Sequence, residues 1–151
     1  MDTEAIKSEV RAILEQLGYG SLVSSIEAHQ GLTSRFNIEL LGEANMLIGE
    51  RGANLAALEH VVKKILRHRN GPELTFTLDI NNYRRERLED LKQDVKTAAK
   101  EVRLYNKRVP LRSMSAFERR VVHLLLAEYP DIATESTGEE PNRRVVIKPY
   151  P

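Results

Sequence analysis

Met46-Leu47-Ile48-Gly49-Glu50-Arg51-Gly52-Ala53-Asn54-Leu55 is the stretch that decides how this chain is read. It has the form of the last turn of a short helix, a two-glycine break and the start of a second helix. After the break, apolar residues fall at Leu55, Leu58, Val62, Ile65 and Leu66, a helical spacing. A Gly-x-x-Gly loop at a helix N-terminus has defined physical consequences. Without Cβ atoms at Gly49 and Gly52 a ligand backbone can approach closely, and the unpaired N–H groups of the next helix favour an anion. Arg51 can add a charge-assisted contact to a phosphate, and Glu50 and Asn54 lie on the same candidate surface. A second reading stands beside this one: a tight helix–helix turn that needs glycine only for its dihedral angles.

Composition narrows the field. The chain has 151 residues, enough for one ordinary domain or two small ones, and 41% hydrophobic with 30% charged residues is the balance of a soluble globular protein. With no cysteine, disulfides, thiolate nucleophiles and Cys-ligated zinc are excluded, which suits a cytoplasmic location. The acidic start, Met1-Asp2-Thr3-Glu4-Ala5-Ile6, is unlike a signal peptide, and no apolar run approaches the ~18 residues of a membrane span. His29, His60 and His68 are not spaced as metal ligands, so neither a metal nor another cofactor is expected.

Charge is unevenly placed. Residues 1–80 hold 8 Lys+Arg against 11 Asp+Glu, residues 81–123 hold 12 against 6, and residues 124–151 hold 3 against 5. A basic middle segment hints at a polyanionic partner, although Glu and Lys interleaved on a solvated helix face account for part of the excess.

From the central stretch outward, residues 3–17 carry Ile6, Val10, Ile13, Leu14 and Leu17, an amphipathic helix that Gly18 can close. Leu22, Ser24, Ile26 and Ala28 share one parity, as do Phe36, Ile38 and Leu40, so two antiparallel strands are predicted. Leu74, Phe76, Leu78 and Ile80 alternate with polar residues in a third strand, beyond the helix stop Asn70-Gly71-Pro72. The order helix, strand, strand, helix, Gly-x-x-Gly, helix, strand resembles a type II KH domain, which implies a groove beside the loop for about four nucleotides. Glu50 departs from the basic or polar residues usual in such loops. A carboxylate near a phosphate costs about 1 kcal/mol if solvated.

Asn81 or Asn82 can cap the next helix, whose buried stripe is Leu88, Leu91, Val95, Ala98, Ala99 and Val102. Tyr83, Arg84, Arg85 and Arg87 fall in its first turns, where cations oppose the macrodipole; Arg84 is therefore a candidate phosphate contact. Further on, Ser115-Ala116-Phe117-Glu118 has the form of a capping box opening a helix to about Glu128. Its apolar residues Phe117, Val121, Leu124 and Leu125 predict the buried face, which places Arg119 and His123 on the opposite, exposed side. Residues 132–137 and 144–148 read as two final strands.

Arg119-Arg120-Val121-Val122-His123 is the Arg-x-x-x-His signature of the R-three-H domain, a resemblance that implies binding of single-stranded nucleic acid. Its flanking sequence 110–123, the tail 139–149 and Asp79-Ile80-Asn81-Asn82-Tyr83-Arg84 extend the likeness over nearly the whole chain. The chain resembles the bacterial Jag family, also called SpoIIIJ-associated proteins, in which a KH domain precedes an R-three-H domain. Many of its members have a further N-terminal domain; this chain opens at the KH helix, so functions tied to that domain do not carry over.

The expectation is thus a mixed α+β chain: a type II KH domain over residues 1–80, then a long linking helix and an R-three-H domain over residues 81–151. It is expected to be a non-catalytic, cytoplasmic RNA-binding protein, without membrane insertion. The candidate site comprises Gly49, Glu50, Arg51, Gly52, Asn54, Arg84, Arg119, Arg120 and His123. The resemblance further implies post-transcriptional regulation or RNA chaperoning linked to cell envelope growth. The alternative is an adaptor that acts with a KH-only partner protein or the membrane protein insertase. A ribonuclease using His123 and Arg119 is the weakest case, because no second His or paired carboxylates accompany them.

Overall fold

The computed structural model describes residues 2–72 and 74–151, which fall into two compact units, residues 1–85 and residues 86–151. The first unit opens with α1 (Thr3–Gln16), whose N-terminus is held by the Asp2 carboxylate accepting from the backbone of Glu4 and Ala5. Then come β1 (Val23–His29), β2 (Ser34–Leu40), the single-turn α2 (Asn45–Ile48), α3 (Ala53–Asn70) and β3 (Phe76–Ile80). This is the element order the sequence predicts.

β2 is the central strand, antiparallel to β1 and parallel to β3. Phe36, Ile38 and Leu40 of β2 and Phe76, Leu78 and Ile80 of β3 join Ile6, Val10 and Leu14 of α1 and Leu55, Leu58, Val62 and Leu66 of α3 in one core. The alternation predicted for β1 slips at its start, where the register shifts between Val23 and Ser25, so Ser24 is exposed and only Ile26 is fully buried.

The second unit contains most of α4 (Tyr83–Tyr105), then β4 (Val109–Pro110), α5 (Ala116–Leu126), β5 (Ile132–Thr137) and β6 (Arg144–Pro149). The sheet runs β4-β6-β5, both pairings antiparallel. Leu91, Val95, Ala98 and Val102 of α4 pack with Val122 and Leu126 of α5 and with Ile132, Val145 and Ile147 of the sheet. Among the described residues no helix is long and apolar enough to cross a membrane.

Candidate nucleic-acid interface

The glycine loop owes its shape to backbone conformations that side chains resist. α2 ends on Gly49 (φ 74°, ψ 175°), a region open almost only to glycine. A single 3-10 turn (Glu50–Gly52) carries Arg51 (φ 54°) and Gly52 (φ 77°) through left-handed conformations into α3. The space a Cβ would need is filled from within. A Cβ on Gly49 would lie 2.6 Å from Asn54 Cγ and 2.8 Å from the Asn54 backbone nitrogen, and one on Gly52 would lie 3.1 Å from Tyr83 Cε1. Both glycines therefore serve close packing of the protein on itself. Asn54 fastens the loop, its Nδ2 donating to the Met46 carbonyl at 2.6 Å. At the N-terminus of α3, Gly52 offers no side-chain cap, so the first-turn N–H groups retain the anion preference of a helix start. Glu50 is exposed and Arg51 half-buried beside them.

Arg84 has a different setting from the one its sequence position suggests. Its Nη1 donates to Glu59 Oε2 at 2.6 Å and to the Leu78 carbonyl at 3.0 Å, so an ion pair inside the first unit explains a cation in the first turn of α4. Glu59 also takes Lys63 Nζ at 2.8 Å and the Leu78 N–H at 3.0 Å. Burial pushes the Glu59 carboxyl up, but these bonds from Lys63, Leu78 and Arg84 together hold it below its ordinary value.

The cap of α4 is a further correction. Asn81 and Asn82 sit at φ 48° and 56°, and their side-chain oxygens accept from the Leu40 N–H (2.8 Å) and from Arg35 (3.3 Å). The cap is Asp79 at the end of β3. Its fully buried carboxylate accepts from the backbone of Arg84 at 2.9 Å and Arg85 at 3.3 Å, and from Arg35 Nη1 at 3.1 Å. An Asp in a strand just ahead of a helix start is the sequence signal that points to it.

On α5 most of the predicted buried face points outward, although Val121 packs against the core. Phe117 and Leu124 are 69% and 66% exposed and Leu125 is also exposed, whereas Glu118, Arg119, Val122 and Leu126 are buried. The capping box forms as predicted, Ser115 Oγ accepting from the Glu118 N–H and Glu118 accepting from the Ser115 N–H. Glu118 is buried because Arg87 of α4 donates to both its carboxylate oxygens. Burial raises its pKa, and the bonds from Arg87 and Ser115 outweigh that and hold the carboxyl below its ordinary value.

Arg119, expected on an exposed surface, is 8% exposed. Its Nη1 donates to the Met114 carbonyl at 2.8 Å and its Nη2 pairs with Glu140 at 2.8 Å. His123 is half-buried, with Nδ1 2.6 Å from Thr134 Oγ1 and Nε2 3.0 Å from Ser136 Oγ. The motif thus ties α5 to the loop before it, to the β5–β6 turn and to β5. Arg120, between them in sequence, is exposed.

Residues 86–149, nearly the whole of the second unit, match the R-three-H domain family. Across both units the chain is similar to bacterial proteins curated as RNA-binding protein KhpB. The relative from Bacillus subtilis is 38% identical over 118 residues, covering 76% of this chain and 56% of the relative. That from Clostridium symbiosum is 35% identical over 112 residues, 74% of this chain and 50% of the relative. That from Lactiplantibacillus plantarum is 29% identical over 136 residues, 90% and 41%. The chain spans about half the length of these relatives, and their similarity bears out the Jag-family resemblance.

Proposed function

We propose that this chain is a cytoplasmic RNA-binding protein without catalytic activity, its first unit a type II KH domain and its second an R-three-H domain. The observation that carries the reading is the R-three-H match over residues 86–149 joined to relatives named as RNA-binding. The geometry supports it. The N-terminus of α3, Arg51 and the narrow glycine turn form a place where a phosphate is favoured, and Arg120 offers an exposed cation on the R-three-H unit. Two weak sites on one chain gain affinity through effective concentration. His123 and Arg119 are engaged in bonds within the unit, which suits a structural part better than acid–base chemistry. Regulation or chaperoning of RNA is the role we carry over from the family resemblance.

The test is a titration of single-stranded RNA at several salt concentrations. Binding is expected to weaken with a slope near −0.7 per phosphate contacted in log K against log salt, roughly the single-strand value. Absence of salt-dependent binding, or cleavage of the RNA, contradicts the proposal.

A second reading has its own observation. The exposed apolar face of α5, with Phe117 and Leu124, is the kind of surface that docks a protein, in keeping with an adaptor. If Phe117→Ser leaves RNA binding intact and detaches a KH-only partner protein or the insertase in pull-downs, the adaptor reading gains.

A further inference from the structure

The end of α4 and the edge strand β4 border an open groove of about 370 Å³, lined by Glu101, Tyr105, Lys107, Arg108, Val109 and Pro110. We infer that this groove holds one unstacked nucleotide of a single-stranded RNA, its base on the Tyr105 ring and its phosphate at Lys107. The inference rests on the RNA-binding reading above and adds a contact site outside both the glycine loop and the Arg-x-x-x-His motif.

Tyr105 is the last residue of α4 and is 65% exposed, so its ring is accessible to a stacking base. Asn106, at φ 50°, takes the chain through a left-handed conformation after the ring, and Lys107 and Arg108 line the same groove. Val109 and Pro110 complete the lining. Among the described residues β4 pairs with β6 alone, so Val109, half-buried against the core, and the exposed Pro110 lie at the sheet edge. A ring, an apolar pair at the sheet edge and cations match the parts of a nucleotide: a π-face, an uncharged sugar and a phosphate.

Charge agrees with this assignment. Arg108 pairs with Glu135, which also holds Lys148 at 2.9 Å, so two cations share one carboxylate. With the exposed Lys107, that corner stays cationic. Glu101, one helical turn before Tyr105, supplies a carboxylate that can accept from the amino edge of a stacked base. The volume lies at the small end of the roughly 300–1,000 Å³ typical of ligand sites, room for one nucleotide rather than a folded peptide.

The experiment is fluorescence anisotropy of a labelled RNA of about 12 nucleotides and mixed sequence, titrated with the full chain and with Tyr105→Phe, Tyr105→Leu and Lys107→Ala. Stacking is sequence-tolerant and substantial, so Tyr105→Leu is expected to weaken binding about 5- to 10-fold. Lys107→Ala should weaken it and flatten the salt dependence by about one phosphate's share, and Tyr105→Phe, which keeps the ring, should bind within about twofold of the parent. Ultraviolet crosslinking followed by mass spectrometry should find RNA attached to the peptide containing Tyr105. If the parent binds RNA while Tyr105→Leu binds equally well, or crosslinks fall only elsewhere, the groove assignment is overturned and the RNA-binding reading survives. Equal losses in Tyr105→Phe and Tyr105→Leu overturn stacking as the mode. A parent chain that binds no RNA overturns both. Circular dichroism of the Tyr105→Leu variant is expected to match the parent, since the ring is exposed.

Discussion

The guanidinium of Arg119 donates to the carbonyl of Met114, 2.8 Å away, and does so from a side chain that is almost fully buried. The arginine of the Arg-x-x-x-His motif is therefore a strut within the second unit. Arg119→Ala should lower stability by about 2–3 kcal/mol, the worth of a charge-assisted bond to a carbonyl left unmade. Arg120→Ala, one residue on and exposed, should stay within about 0.5 kcal/mol. Urea denaturation followed by circular dichroism checks both. A midpoint unchanged in Arg119→Ala contradicts the strut.

Asp79 has the same kind of position in the first unit. Its carboxylate holds two N–H groups of the first turn of α4 and the Arg35 guanidinium, with no exposure to water. Asp79→Ala leaves an uncapped helix and a part-buried cation whose remaining partner is the neutral Asn82 oxygen, and should cost about 3 kcal/mol or more. Asp79→Asn keeps one acceptor oxygen and should cost less. Thermal unfolding of the two variants ranks them; equal losses would mean that charge alone matters there.

Stability should fall in acid. Glu59 and Glu118 have folded-state pKa values below those of the unfolded chain, because their bonds to Lys63, Leu78, Arg84, Arg87 and Ser115 outweigh burial. Such a group contributes stability that is fully present above the unfolded value of about 4.3 and is lost as pH falls through the lower folded value. The urea midpoint should be flat for these two groups from about pH 7 to about 5 and decline below about pH 4.3. Glu118→Gln, which cannot titrate, should start lower and decline less steeply. A parent midpoint that rises below that pH contradicts the assignment.

Glycine substitutions in the loop should act on folding before they act on RNA. Gly49→Ala combines a glycine-only conformation with a Cβ 2.6 Å from Asn54 Cγ, and should cost about 2–3 kcal/mol. Gly52→Ala meets Tyr83 at 3.1 Å from a left-handed conformation, and should cost about 1–2 kcal/mol. Denaturation midpoints should rank Gly49→Ala below Gly52→Ala, and both below the parent.

Much of this architecture is legible in the sequence. Period-3.6 and period-2 patterns, the stop Asn70-Gly71-Pro72 and the box Ser115 to Glu118 mark local events, and the longer elements follow from them. On α5 the sequence pattern misleads, because an apolar face is not always the core face. There the buried face joins Val122 and Leu126 to Glu118 and Arg119, whose partners Arg87, Met114 and Glu140 are brought to them only by the fold. Arg84 escapes sequence reasoning for a similar reason. The macrodipole argument is local, and the ion pair with Glu59 spans 25 residues of sequence. Periodicity finds faces; it does not name their partners.

The most direct test of the account is the affinity of the full chain for a labelled single-stranded RNA pool, parent against Arg51→Asp, at two salt concentrations. Asp tolerates the left-handed conformation that Arg51 occupies, so the loop should keep its shape while its charge reverses. The account predicts salt-dependent binding by the parent and loss of most of it in the variant. Equal binding by the two, at either salt concentration, would contradict the glycine loop as a phosphate-binding element.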